Sequence, residues 1–381
     1  FTIFASLFRI NKDNMLKKII VLFLISIVMN ACTSSEEDDP MLTDTFDRGL
    51  MLANIADNII IPAFDDFSAK LAVLKTDGEV FTANPNQTNL EVVRVSWFAA
   101  YKSWQHVEMY HIGKAEELNY KFYMNVFPLT VVDVEGNAEK GTYDLNSTNN
   151  HDAQGFPALD YLLFGLADTD VSIIAKYVND ANANGYKKYI TDVINQMNSL
   201  TQQVVIDWAS YRNEFVASTS NTATSGANKL VNDFIFYYEK GLRANKFGIP
   251  AGVFSATVLP EKVEAYYKKE NSKELAVEAL NVVINFFEGK SENGVTSSAI
   301  GFKQYLIALN RQDLATKISD QFETAKAQVN SLEDNFYSQI GKDNTKMTRA
   351  YDELQKVVVL LKVDMLQAFS VSVDYIDADG D

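Results

Sequence analysis

Cysteine, histidine and basic residues are all scarce in this sequence. Its 381 residues include one cysteine and three histidines, and 34 Lys and Arg stand against 50 Asp and Glu, a net charge of −16. One cysteine cannot close an intrachain disulfide, and thiolate metal sites need several Cys or His ligands. The acidic charge repels a phosphate backbone, so nucleic acid is excluded as a partner. Any metal site would use mainly oxygen ligands, which suit hard cations.

Long apolar runs are also few, and the clearest lies near the start. Residues 19–29 are apolar except for Ser26, follow Lys17 and Lys18, and are soon followed by Ala31 and Cys32. This run is too short for a bilayer, which needs about 20 residues. The order of charged, apolar and small residues predicts a lipoprotein signal peptide that is cleaved before Cys32.

Residues 1–31 are therefore expected to comprise a non-native extension, residues 1–14, and a signal peptide that begins at Met15. Lipidation of Cys32 would attach the chain to a membrane, and we expect a bacterial outer membrane lipoprotein that faces the periplasm or the cell surface. Residues 32–43 are polar and acidic, which predicts a flexible tether.

The rest of the chain has the apolar spacing of helices, which predicts an all-α fold. Residues 90–111 carry apolar side chains at steps of three or four and are predicted to form one helix. The polar stretch 217–228 is interpreted as a linker between an N-terminal helical domain, 44–216, and a C-terminal one, 229–381. Further helices are predicted at 44–74 with a bend or break at Pro62, 186–215, 230–247, 273–287, 313–340 and 345–369.

Three residues of the predicted helix 90–111 are candidates for a site. Trp104, Glu108 and His111 are separated by four and three residues, so one helix would place them on one face. Glu108 and His111 form a Glu-x-x-His pair, but the sequence has no second copy, which a di-iron bundle requires. Neither His-Glu-x-x-His nor Gly-x-Ser-x-Gly occurs. The alternative is a structural ion pair between Glu108 and a base on a neighbouring helix.

A second candidate segment runs over 155–165. Gly155 would let the backbone turn, Pro157 suits a first helical turn, and Gly165 could end the helix. Asp160 could belong to a site, or it could simply complement the dipole of this helix.

These segments, taken in order, resemble the imelysin-like proteins. The resemblance covers residues 44–381. The segments that carry it are 96–113 with Trp97, Trp104, Glu108 and Gly113, then 155–165, 246–252, 260–266 and 374–381.

The resemblance implies two helical-bundle domains in a duplicated arrangement, export, and an association with iron uptake. Founding members of the family were called peptidases. The family signature Gly-x-His-x-x-Glu falls on Gly155, Pro157 and Asp160, so the histidine is replaced by a residue without a ligand atom. His151 is the nearby histidine that could take its place.

Three functions remain open. The leading one is a non-enzymatic component that binds a ligand, with a link to iron uptake. The alternatives are a metal-dependent peptidase and a scaffold at an outer-membrane transporter. The cofactor is unknown, with iron or another divalent cation as the expectation. The predicted binding residues are Trp104, Glu108, His111, Gly155, Asp160 and Glu264, and the predicted metal ligands are Glu108, Asp160 and His151.

Overall fold

The computed structural model describes residues 45–291 and 299–373, and these ranges contain helices and no strand. The α-helices are α1 Arg48–Ile55, α2 Ile61–Ala83, α3 Gln87–Trp104, α4 Lys114–Glu117, α5 Val131–Lys140, α6 Gly155–Asp160, α7 Asp170–Val178, α8 Ala183–Ala217, α9 Gly226–Phe236, α10 Ser272–Glu288, α11 Phe302–Ala308, α12 Gln312–Asn330, α13 Phe336–Val359 and α14 Leu366–Phe369. Within the described ranges, π-helical segments cover Ala56–Ile60, Tyr161–Gly165, Tyr237–Gly248 and Leu360–Met365. Short 3-10 helices cover Tyr120–Tyr123, Thr148–Ala153, Pro260–Lys262 and Lys269–Asn271.

Local sequence explains where several helices begin. A polar side chain next to the first turn accepts a hydrogen bond from a backbone N–H that has no partner within the helix. The residues that do so are Asp47, Asn86, Thr169, Ser225 and Asn335.

In the first half, α2 packs against both α3 and α8. Phe67 and Trp97 are fully buried there, as the apolar spacing predicts. The chain stays helical through Pro62, and a π-helical turn, Ala56–Ile60, directly precedes α2. The bend or break expected at Pro62 is therefore a local widening of the helix.

In the second half, α13 packs against α12 and against the π-helical segment Tyr237–Gly248. Residues 218–225 join α8 to α9, so the polar stretch 217–228 also includes the start of α9. The two halves also contact each other, since α3 packs on α10 and the Asn54 amide donates to the carbonyls of Gly289 and Ile300 at 2.9 Å.

The all-helical fold is confirmed, whereas a duplication of two domains is not confirmed and the domain boundaries stay a prediction. None of the helices in 45–291 and 299–373 combines the length and the apolar character needed to cross a membrane. The predicted signal peptide, Cys32, the tether and the segment 374–381 lie outside the described residues.

Candidate functional site

The helix predicted over 90–111 ends earlier than expected, at Trp104. From Gln105 onward the chain forms tight turns, in which His106 N–H donates to the Ser103 carbonyl and Val107 N–H to that of Trp104. The prediction that one helical face carries Trp104, Glu108 and His111 is therefore wrong. No glycine or proline marks this end, so the periodicity alone could not find it.

The early end of α3 separates the three side chains. Trp104 is 1% exposed and packs in the core against Phe67 and Tyr120. Glu108 and His111 both line a cavity of about 270 Å³. Trp104 is thus a core residue, while the other two candidates meet through the turn rather than along a helix.

A buried polar network lies beside Glu108. The Lys246 ammonium donates to a Glu264 carboxylate oxygen at 2.5 Å and to the Gln105 side-chain oxygen at 2.8 Å. All three side chains are at most 2% exposed. A buried carboxylate without a counter-charge would be costly, so Lys246 is what allows Glu264 to stay inside.

Asn125 connects this network to Glu108. Its amide nitrogen donates to Glu108 at 3.0 Å and to Glu264 at 2.9 Å, and its side-chain oxygen accepts from the Tyr101 hydroxyl at 2.7 Å. The Tyr237 hydroxyl donates to the other carboxylate oxygen of Glu108 at 3.0 Å. That same oxygen lies 3.8 Å from the Lys246 ammonium. The structure therefore brings Glu108 and Glu264 together, with one ammonium near both.

Two tyrosines of the network are held in their neutral form. Burial raises the pKa of Tyr101 and of Tyr237 well above the ordinary value, and the nearby carboxylates Glu108 and Glu264 raise both further. Each hydroxyl therefore acts as a hydrogen-bond donor at any physiological pH.

The cavity beside this network is largely apolar, with charged groups at its edge. The π-helical segment Tyr237–Gly248 forms one wall, and such segments frequently occur at functional sites. The lining residues are Glu108, Met109, His111, Lys121, Phe122, Asn125, Val126, Phe127, Asp233, Phe236, Tyr237, Lys240, Gly241 and Asn245.

His111 contributes a neutral ring to this cavity. Burial, together with the positive charge of Lys121, lowers the pKa of His111 to about 4. Its backbone N–H donates to Asp233 at 3.0 Å. At neutral pH the imidazole thus carries no charge.

The segment 155–165 follows the local prediction closely. Gly155 has φ +71°, and a Cβ there would lie 2.2 Å from the Met124 carbonyl oxygen, so only glycine fits. Pro157 lies in the short helix α6, as expected. Gly165 ends a π-helical continuation of α6, which the spacing did not reveal.

Asp160 holds a distant loop through hydrogen bonds, which the sequence did not suggest. Its two carboxylate oxygens accept the backbone N–H groups of Tyr267 at 2.7 Å and Lys268 at 3.0 Å. Burial raises the pKa of Asp160 to about 7, although these two hydrogen bonds oppose the shift. Asp160 and Pro157 line a second cavity, of about 160 Å³, which shares Phe127 with the first.

The predicted metal ligands are not gathered into one site. Glu108 lies in the polar network and Asp160 holds the loop at 267–268, while the His151 ring stacks on Phe122, with centroids 5.4 Å apart. Across the described ranges, no three His, Cys, Asp or Glu side chains are placed to hold one ion. The residues present do not fit a protein-bound metal.

Sequence reasoning missed the cation of this network. Lys246 follows the buried Tyr238 and Leu242 at steps of four, which places a lysine on an apolar face. That pattern could have marked it as buried and paired. No local pattern marked Gln105 or Asn125, because each is positioned by contacts distant in sequence.

The site's sequence and fold can be compared with known proteins. The model of the imelysin peptidase family matches residues 60–362. Iron-regulated protein A of Synechococcus elongatus is 21% identical over 326 residues, which cover 81% of this chain and 85% of that protein. Crystal structures of an imelysin-like protein from Psychrobacter arcticum and of a protein described as an iron-regulated protein A precursor from Parabacteroides distasonis share the fold. The Psychrobacter arcticum structure has a TM-score of 0.66 and 16% identity, and the match covers 86% of this chain and 97% of that one. The Parabacteroides distasonis structure has a TM-score of 0.70 and 15% identity, and the match covers 85% of this chain and 95% of that one.

Proposed function

Because the chain belongs to the imelysin family, we propose that it is a non-catalytic, ligand-binding lipoprotein of the bacterial outer membrane that serves iron uptake. The observation that carries the proposal is the state of Asp160. At the signature positions, Pro157 has no ligand atom, and both oxygens of Asp160 already accept backbone N–H groups. Pro157 can neither accept a proton nor hold a metal, and both oxygens of Asp160 are used to hold the backbone at 267–268.

The cavity beside Glu108 offers what a binding protein needs. It is mostly apolar and has a few fixed polar groups, and the network of Lys246 and Glu264 behind it holds those groups in place. The iron link is supported by the names of the relatives in Synechococcus elongatus and Parabacteroides distasonis. Iron would enter as cargo that brings its own ligands.

Calorimetry on the full-length chain in detergent tests the proposal. Ferric iron as a soluble chelate, haem and calcium are titrated separately. Asn245 is exposed and lines the cavity, so Asn245→Trp should block it, while Gln203→Trp on the exposed side of α8 is the matched control. We expect heat from an iron species with the wild type and the control, and none with Asn245→Trp. If none of the three species binds, the ligand-binding role is excluded. If Asn245→Trp and Gln203→Trp bind a species equally well, the binding site is not this cavity.

The peptidase alternative is tested on the same preparation. Incubation with a peptide mixture and divalent metals should give no cleavage. Cleavage that disappears in Asp160→Asn would overturn the non-catalytic proposal.

Membrane attachment is a separate part of the proposal and rests on the sequence before Cys32. In a bacterial host, Cys32→Ser should move the chain from the membrane fraction to the soluble fraction and abolish incorporation of labelled palmitate. Unchanged labelling would exclude Cys32 as the lipidated residue. Co-purification of a transporter would instead support the scaffold alternative.

A further inference from the structure

Among the described residues, two lysines on the cavity beside Glu108 lack an oxygen partner. The side chains of Lys121 and Lys240 make no hydrogen bond or ion pair within 45–291 and 299–373. By contrast, the nearby Lys229 is paired with Glu116 at 2.7 Å. Both unpaired ammonium groups belong to the same cavity, in a chain whose net charge is strongly negative.

Lys121 is held in place by rings rather than by acids. Its ammonium lies 4.7 Å from the ring centroid of Phe236 and 5.6 Å from that of Phe122. Burial lowers the pKa of Lys121, while Asp233 and Glu108 raise it. A cation–π contact orients an ammonium but leaves its N–H groups without acceptors.

The acids of the cavity are already engaged. Glu108 accepts hydrogen bonds from Asn125 and Tyr237, and Asp233 accepts the backbone N–H of His111. His111 is neutral at physiological pH, since burial lowers its pKa to about 4. Both carboxylates keep their negative charge, but the hydrogen-bond donors left to meet a ligand are the ammonium groups of Lys121 and Lys240.

The apolar residues that line the cavity determine which apolar part of a ligand fits there. Phe122, Phe127, Phe236, Met109 and Val126 supply aromatic and aliphatic surface. The volume of about 270 Å³ suits a single ring with its substituents rather than a peptide. Phenyl rings favour an apolar, planar body.

We infer that the cavity binds a small aromatic anion, whose carboxylate or phenolate oxygens meet Lys121 and Lys240 and whose ring packs on the phenylalanines. The inference rests on the proposed function, because it takes this cavity as the ligand site, and it names the ligand class. Such oxygens are also iron ligands, so the anion could arrive free or as the organic part of a ferric complex.

The experiment uses salicylate, its neutral analogue salicylamide, benzylamine as a cation, and the ferric salicylate complex, each titrated calorimetrically into the full chain. Variants are Lys121→Met, Lys240→Met, and Lys317→Met as a control on the exposed face of α12. We expect salicylate to bind and the other two organic probes to bind at least tenfold more weakly. Each cavity variant should weaken salicylate by about tenfold to a hundredfold, the loss of one charge-assisted hydrogen bond. Lys317→Met should leave it unchanged.

The outcomes separate this inference from the proposed function. Salicylate binding that depends on Lys121 and Lys240, without binding of any iron species, supports the anion site and removes the iron role. Iron binding that Asn245→Trp blocks but neither lysine variant weakens keeps the function and overturns the anion site. Equal binding of salicylate and benzylamine also overturns it. Circular dichroism checks that each variant is folded, and Lys121→Arg should retain most of the affinity.

Discussion

Asp160 and Glu264 are two buried carboxylates that the molecule stabilises in different ways. Asp160 receives the backbone N–H groups of Tyr267 and Lys268. Glu264 receives side chains, including the ammonium of Lys246. Backbone dipoles only partly offset the loss of water around Asp160, so its pKa rises to about 7. An ammonium supplies a full counter-charge, which backbone groups cannot.

Removing the counter-charge should have the largest effect. Lys246→Met leaves Glu264 and Glu108 without a cation and should lower the free energy of unfolding by about 3 to 5 kcal/mol. Urea denaturation measures this. Adding Glu264→Gln to that variant should recover part of the loss, because the buried charge is then gone. A loss below about 1 kcal/mol in Lys246→Met would mean that the pair behaves as a surface ion pair.

The buried Asp160 carboxyl should make the stability of the protein depend on pH. In the unfolded chain Asp160 ionises near 3.8, but in the folded chain only near 7, so its contribution to stability falls as pH rises between these values. Asp160→Asn removes this dependence. Relative to wild type, the variant should gain stability from pH 4 to pH 8, by at most about 4 kcal/mol at about 1.4 kcal/mol per pKa unit. A constant difference across this range would contradict the buried titration.

The turn before Asp160 can be tested by adding one methyl group. Gly155→Ala would force φ +71° on a residue with a Cβ and press it against the Met124 carbonyl, which should cost about 2 kcal/mol or more. Gly136→Ala is the matched control, since nothing lies within 4 Å of its Cβ in α5 and alanine favours helix. Equal thermal midpoints for the two variants would contradict the strain at Gly155.

Burial lowers the pKa of the base His111, whereas it raises the pKa of the acid Asp160. His111 is neutral in the folded chain down to about pH 4, whereas an unfolded histidine ionises near 6.5. Its contribution to stability is therefore complete above 6.5 and is lost as pH falls toward 4. NMR titration of the imidazole should give a midpoint near 4. A midpoint at 6 or above would place this ring in water.

Local patterns predicted most of the long helices and several of their ends, but they missed α5 and α7, and the helix predicted at 313–340 is broken between α12 and α13. Spacing found the buried face of α3, and Ser225, within the polar stretch, caps α9. The end of α3 at Trp104 was missed because no glycine or proline marks it, and the Gln105 side chain that follows is hydrogen-bonded to Lys246, which is distant in sequence. Spacing also could not show that Asp160 meets a loop more than 100 residues away.

The candidate site was predicted in part. Glu108 and Glu264 were selected together, and they do share Asn125. The cation between them, Lys246, was not predicted, because its partners Gln105 and Glu264 lie outside its own helical segment. Buried networks of this kind combine segments that are distant in sequence, and only the fold shows which ones meet.

The π-helical segment Tyr237–Gly248 also bears on how the family can vary. Deleting one residue from an ordinary buried helix rotates everything beyond it by about 100°. A π-helix already holds extra residues in its wider turns, so losing one there can restore α-helical geometry. Insertions and deletions at this segment can thus reshape the cavity wall while the helices on either side keep their buried faces.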